Sequence, residues 1–313
     1  MKDLANIHNQ KVTYMHPTNN KFNFILGPAS IQGSDEWLDF RKDKIGSSDV
    51  PIILGLSPFE SPREFWNRRI LGKSVEANYA MRRGASLESQ ARDILNRSSA
   101  QDYSPCVIQS SENPSLIASL DGLHVDYDGN VHIAEIKCPG SDTHALAKAG
   151  IIPEHYIPQL CHQCMVSGAK SCIYVSWDGL SDHVVKIAYT PDESMCQQIK
   201  DEIAKFLASI EEFNMPEPQG RDWVECSDVS LVQYAERYKH LCYQISEREK
   251  EKSFLREMIT SKMEHAKTIV NGLKIQKTYR NGSIDYSQIP ELENVDLEKY
   301  REEPTESWRI SIE

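Results

Sequence analysis

DGLHVDYDGNVHIAEIKCPG, residues 121–140, alternates apolar and polar side chains on either side of an Asp128-Gly129-Asn130 turn, the pattern of a β-hairpin. In its second strand, VHIAEIK, the side chains of Val131, Ile133, Glu135 and Lys137 share one face, and His132, Ala134 and Ile136 take the other. Asp121 ends the preceding run, SLIASLDG, and the turn brings it back toward Glu135. Two carboxylates and an ammonium group thus meet where a strand usually keeps apolar side chains.

Carboxylates brought together repel one another, and a raised pKa or a bound cation must relieve them. Hard oxygen ligands, with water completing the shell, describe a Mg2+ site. A lysine two residues beyond the second carboxylate can orient a water molecule or stabilise charge developing on a phosphate. Together these parts suit metal-assisted hydrolysis of a phosphodiester.

Working outward, the runs 105–110, 115–120, 123–127 and 131–137 are short and β-branched, separated by Asn-Pro, Asp-Gly and Asp-Gly-Asn turn signals. They predict a sheet built of hairpins or a meander. Upstream, Ser34 caps a helix through SDEWLDFRKDKI, Ser47 or Ser48 caps a short one ending at Gly55, and Ser61-Pro62-Arg63-Glu64 opens a third that Gly72 closes. Residues 78–97 form a longer helix carrying Arg82, Arg83, Glu88 and Arg92. Downstream come helices over 142–150 and 155–168, the strands SCIYVSW and HVVKIAY, and a long amphipathic helix from Asp192 to Phe213. This order predicts an α/β or α+β layered domain.

Three regions follow: an arm over 1–30, a domain over 31–217 and an extension over 221–313, with Met215–Gly220 as the boundary. In the extension a long helix is expected over 226–268. Its partial coiled-coil stripe comprises Leu231, Tyr234, Tyr238, Leu241, Ile245, Leu255 and Ile259, interrupted by Arg248 and Lys252. A β-hairpin is expected around Asn281-Gly282.

The chain has 313 residues, 35 basic against 46 acidic side chains, and a formal net charge of -11, which excludes a general nucleic-acid coat. A local basic groove remains open, with Arg63, Arg68, Arg69, Lys73, Arg82 and Arg83 as its candidate or, equally, a solvated helix face. No apolar run suffices to span a bilayer and the N-terminus lacks a secretory apolar segment, so a soluble, cytoplasmic protein is expected. Eight cysteines without a scaffold spacing fit a reducing compartment.

Asp121 followed by Glu135-Ile136-Lys137 resembles the PD-(D/E)xK nuclease signature, with Leu120 where the pattern often has proline. Glu88 in RRGASLESQAR, Tyr156-Ile157-Pro158-Gln159, and Trp37–Arg41 followed by Ile45–Ser48 extend the likeness. In this order they resemble the lambda-exonuclease-like, YqaJ-type viral recombinase family over about residues 33–215. The resemblance implies a restriction-endonuclease-like core, a mixed central sheet flanked by helices, to which the long helix and hairpin are added. It implies a Mg2+-dependent 5'-to-3' exonuclease, with Mn2+ as a substitute, that digests one strand of duplex DNA from an end. The 3' overhang would serve a single-strand annealing protein, in a bacterial cell and from a phage or prophage gene. It further implies a ring-shaped homo-oligomer threaded by DNA, a trimer being one form.

Carried over by residue, the resemblance makes Asp121, Glu135 and the Ile136 backbone carbonyl metal ligands and lets Lys137 position the attacking water. Glu88 acts at the edge of the metal site, and Gln159 holds the nucleophile or the scissile strand. Arg41, Ser48 and Ser119 match positions that bind the terminal 5'-phosphate, which a guanidinium and hydroxyls suit. Taken alone, Glu88 could simply pair with Arg92, Gln159 could be an ordinary helix residue and Arg41 surface charge. Two rival functions stand beside the exonuclease: a restriction-like endonuclease, and a catalytically silent DNA-end-binding subunit. Cys161-His162-Gln163-Cys164, with Cys138 and Cys172, raises an iron-sulfur or zinc site, but one close pair inside a helix reads better as buried thiols. His124, His132 and His155 are expected to be structural or exposed. Ser283–Tyr286 and Tyr300–Ile310 look like C-terminal segments of longer YqaJ-type proteins.

Overall fold

Eight helices and nine strands follow from these patterns in a computed structural model that describes residues 21–31, 33–73, 78–278 and 282. In chain order they are β1 (Phe22–Phe24), α1 (Asp35–Arg41), β2 (Ile45–Gly46), α2 (Val50–Ile53), α3 (Pro62–Ile70) and α4 (Tyr79–Arg97). Then come β3 (Ser104–Ser110), β4 (Leu116–Val125), β5 (Val131–Lys137), α5 (Ser141–Lys148), α6 (Ile157–Ser167), β6 (Cys172–Ser176), β7 (Val185–Tyr189) and α7 (Glu193–Glu211). The chain forms two compact units, one ending at Val224 and the other beginning at Glu225. The second unit contains α8 (Val229–Ser261), β8 (Lys267–Val270) and β9 (Leu273–Gln276).

The first unit is an α/β structure around one mixed sheet in the order β1-β3-β4-β5-β6-β7, with β2 attached to β4. The β5–β6 and β2–β4 pairs are parallel, and the others are antiparallel. Helix α4 covers one face, its Ala91, Ile94 and Leu95 packing with Ala134, Ile136 and Val175. Helix α6 covers the other, where Leu160 and Cys164 pack with Leu120, Leu123, Ile133 and Tyr174. A further layer lies beyond α6: Cys161 packs with Val50, Phe65, Ile199 and Phe206 of α2, α3 and α7. Each such fully buried apolar side chain contributes about 1.5–3 kcal/mol. Because α6 is enclosed between the sheet and a second helical layer, its polar residues have no access to water and must find partners inside the protein.

The neighbours of β4 set the position of the site. Strand β5 pairs with its Gly122–Val125 end, and β2 pairs with Leu116 and Ile117 along the same edge. Ala118–Asp121 therefore have no strand partner on that side, and a notch opens in the sheet. The β3–β4 register shifts between Ser104/Cys106, opposite Leu120–Leu123, a bulge that re-aims the strand beside Asp121.

Several expectations change. Runs 115–120 and 123–127 are one strand, because Asp121-Gly122 does not turn: positive φ occurs at Gly129 (80°) but not at Gly122. Gly122 is instead required by packing, since a Cβ there would lie 2.8 Å from Tyr103 Cβ and 3.3 Å from Ala134 Cβ. Within the predicted arm, Phe22–Phe24 pair with β3 as an edge strand. Asp49, rather than Ser47 or Ser48, stands at the cap of α2 because Ser47 Oγ is engaged with His162. The capping box of Ser61 and Glu64 and the cap at Ser34 form as read, and Asp192 caps α7.

Four members of the basic cluster are engaged within the protein. Arg68 pairs with Glu60, Arg63 donates to Pro216 O, Arg69 to Lys44 O, and Arg83 to Cys138 O, Pro139 O and Asp178 O. Residues 216–222 stay bound to the first unit through that Pro216 carbonyl, through Asp222, which accepts from Ser61 Oγ, and through Arg221, which donates to Ser57 O.

In the second unit the long helix runs over Val229–Ser261, shorter than 226–268, because Lys267–Val270 turn back as a strand. The hairpin turns at Asn271-Gly272, both with positive φ (44° and 81°), the conformation that favours this dipeptide in tight hairpins. Asn281, residues 1–20 of the arm, and the Ser283–Tyr286 and Tyr300–Ile310 segments lie outside the described residues. Leu231, Tyr234, Tyr238, Leu241, Ile245 and Leu255 are exposed along α8.

The packing at Gly122 predicts that Gly122→Ala forces β4 away from Tyr103 and destabilises the first unit by about 1–3 kcal/mol. A lowered midpoint in equilibrium urea unfolding would register it, and an unchanged midpoint would show that the close approach carries no constraint.

Candidate functional site

Strand alternation aims Glu135 off β5 toward α6, where it is 1% exposed. A buried carboxylate is costly unless its lone pairs are filled, and here three donors converge on it. Gln159 Nε2 reaches Oε1 at 2.5 Å, Gln163 Nε2 reaches Oε2 at 2.5 Å, and Lys137 Nζ lies 2.5 Å from Oε1. The two glutamines are four residues apart and so present their amides from one face of α6.

Asp121 lies at the notch. The Gly122↔Ala134 register puts it opposite Glu135 at the next step, and its Oδ2 accepts from Ile136 N at 2.8 Å. Burial first, and the Glu135 charge second, push the Asp121 carboxyl well above the ordinary carboxylate range. Burial alone would lower the Lys137 ammonium, but Glu135 and then Asp121 hold it above its usual value. Lys137 Nζ also lies 5.3 Å from the Tyr156 ring centroid.

Glu88 makes the i,i+4 pair with Arg92 at 2.8 Å, and the same guanidinium nitrogen donates to Asp121 O at 2.6 Å. Glu88 thus makes the i,i+4 pair with Arg92 that its spacing allows, and Arg92 connects it to the Asp121 backbone. With Glu88 balanced by Arg92, Asp121 and Glu135 face one ammonium, Lys137, so two ionised carboxylates would exceed it by one negative charge. That excess, two carboxylates and the nearby Ile136 carbonyl fit a divalent cation with several waters. No cluster of three His, Cys, Asp or Glu side chains suited to a metal occurs among the described residues.

Beside the notch, Gly46–Asp49 form a loop after β2. Asp49 accepts from Gly46 N at 2.8 Å and from Arg41 Nη2 at 2.9 and 3.0 Å. The Arg41 guanidinium lies 4.7 Å from the Trp37 ring centroid. Ser48 is exposed between the buried Ser47 and Asp49, and half-buried Ser119 lies two residues before Asp121. Arg41, Ser48 and Ser119 make no hydrogen bonds to one another among the described residues.

Sequence reasoning did not single out Gln163, His162 or Asp49. The i,i+4 repeat of glutamine in an otherwise apolar helix was the available signal for Gln163. Among the cysteines, burial pushes the Cys138 thiol up to about 11 and Cys106 up to about 12, which keeps them protonated and poor ligands. Cys161 Sγ lies 3.4 Å from Cys196 Sγ.

Residues 36–170, which contain every one of these groups from Arg41 to Gln163, match the YqaJ-like viral recombinase domain. That stretch, less than half of the chain, is similar to the family. Protein YqaJ of Bacillus subtilis (strain 168) is 29% identical to it over 153 residues, 47% of this chain and 46% of the relative. The chain thus spans about half the length of that curated relative. Among solved structures, an alkaline exonuclease of Laribacter hongkongensis, LHK-Exo, superposes with a TM-score of 0.50 at 28% identity, covering 57% of this chain and 94% of the enzyme. The same exonuclease in complex with dAMP gives 0.51 at 27% identity, with the same coverage. The sheet and helices of the first unit match the α/β architecture of those neighbours. No helix among the described residues is long and apolar enough to cross a membrane.

The raised Asp121 carboxyl sets a pH dependence. Its folded-state pKa exceeds the unfolded value, so the folded protein binds more protons and loses stability as pH rises from about 4 through the folded value. In EDTA the melting temperature should fall over that window, and Asp121→Asn should remove this component and melt higher than the parent at neutral pH. Parallel pH profiles for the two proteins would contradict it.

Proposed function

We propose that this protein is a Mg2+-dependent deoxyribonuclease that digests one strand of linear double-stranded DNA from its ends, in the 5'-to-3' direction. The product is a 3' single-stranded overhang for recombination by strand annealing. The observation that carries the reading is the convergence of Asp121, Glu135 and Lys137 at a notch beside a loop suited to an anion. The match to the YqaJ-like domain and the likeness to an alkaline exonuclease support the nuclease class.

In this reading Asp121, Glu135 and the Ile136 carbonyl hold the metal, with Mn2+ as a substitute for Mg2+. The metal supplies Lewis-acid activation of water and charge neutralisation at the phosphate. Lys137 orients the attacking water and meets charge developing on the phosphoryl oxygens. Gln159 keeps Glu135 pointed at the centre. Glu88, through Arg92, steadies the Asp121 backbone at the edge of the site. Arg41, Ser48 and Ser119 receive the terminal 5'-phosphate, which fixes where the strand is cut and favours ends over internal sites. The working enzyme is a ring-shaped homo-oligomer in the cytoplasm of a bacterial host, encoded by a phage or prophage, with DNA ends and a single-strand annealing protein as partners.

Linear duplex with 5'-phosphate or 5'-hydroxyl ends, and a closed circle, should be incubated with Mg2+ or EDTA. The expected result is metal-dependent loss of one strand from phosphorylated linear DNA, no cutting of the circle, and rates at least about a hundredfold lower for Glu135→Ala and Lys137→Ala. Nicking of the circle would favour an endonuclease, and tight end binding without digestion in Mg2+ or Mn2+ would favour an end-binding subunit.

A further inference from the structure

Successive residues of the Gly46–Asp49 loop are fixed from different sides. Asp49 closes the loop on Gly46 N and grips Arg41. Ser47 points inward, 3% exposed, and its Oγ lies 2.9 Å from Nδ1 of His162, which is fully buried on α6. Ser48, between them, faces solvent. His162 Nε2 has no hydrogen-bond partner among the described residues although it is buried, an expense a protein rarely keeps without a use for the ring. On the same helix, the residue before Gln163 and three beyond Gln159, His162 is part of the segment that clamps Glu135. The bond to Ser47 links that helix to the loop through side chains.

We infer that His162 is a positioning residue: through Ser47 it locks the Ser48–Arg41 loop to the helix that holds Glu135, and so sets the distance between a bound 5'-terminal phosphate and the reacting centre. The inference rests on the exonuclease reading above. A ring serving only to fill the core would affect folding and both kinds of DNA end alike. A ring that registers the loop against α6 acts on the phosphorylated end selectively. An asparagine at 162 can place an amide near the position of Nδ1 and retain the link, whereas leucine cannot.

The test compares initial rates and KM on 5'-phosphorylated and 5'-hydroxyl linear duplexes for the full chain, His162→Leu, His162→Asn, Ser47→Ala and the His162→Leu/Ser47→Ala double variant. The preference for phosphorylated ends should fall about threefold to tenfold in His162→Leu and in Ser47→Ala, the effect of losing one buried hydrogen bond. His162→Asn should restore most of it, and the double variant should be no worse than either single one. An unchanged preference in Ser47→Ala and His162→Leu, even with slower digestion of both ends, would overturn the inference. Should His162→Leu fail to fold, Ser47→Ala decides alone. Digestion by the parent without phosphate preference would overturn this inference and leave the nuclease reading standing, whereas absence of digestion in Mg2+ and Mn2+ would remove both.

Discussion

The Glu135 carboxyl group, buried between a strand and an enclosed helix, is the constraint on which the site depends. A carboxylate removed from water is tolerated only when its oxygens are filled and its charge is met. Gln159 and Gln163 fill the oxygens, and Lys137 meets the charge. Because both amides come from α6, any shift of that helix against β5 would leave a buried charge unpartnered. The need to satisfy Glu135 therefore sets the spacing between sheet and helix, and Leu160, Cys164 and Ile133 complete the packing around it.

Asp121 is placed by a different device. The strand partners of β4 change along one edge from β5 to β2, and Asp121 stands where neither pairs. Its carboxylate takes the Ile136 N–H that a continuing ladder would have used. One side chain thus ends the pairing, satisfies the freed amide and brings a second carboxylate to Glu135. The repulsion between them disfavours two ionised groups with only one lysine nearby, and in the proposed reading a cation would relieve it.

Much of this was legible in the sequence because strand periodicity is strict. Placing Glu135 and Lys137 on one face and returning Asp121 through the Asp128–Asn130 turn required only the alternation of side chains and a positive-φ glycine at 129. The helix caps at Ser34 and Ser61 were equally local. Asp121-Gly122 misled because a turn and a crowded strand both call for glycine, and only the tertiary position of Tyr103 separates them. Asn271-Gly272 and Asn281-Gly282 have the same local chemistry, so the dipeptide alone did not select the observed hairpin. Gln163 and His162 escaped notice because α6 is buried on all sides and shows no polar face from which inward residues could be told apart. The arginines of α3 and α4 resembled a DNA-binding stripe because a sequence does not reveal that their donors end on backbone carbonyls and Glu60.

The central claim is that Asp121 and Glu135 together make one divalent-cation site in the absence of DNA. Titration with Mn2+, followed by the loss of its free electron paramagnetic resonance signal, reads occupancy without relying on digestion. The account predicts binding by the parent protein, displaced by Mg2+, with at least about tenfold weaker affinity in Asp121→Asn and in Glu135→Gln, the usual scale for losing a charged ligand or its support. Mn2+ binding of unchanged stoichiometry and affinity in both variants would contradict it.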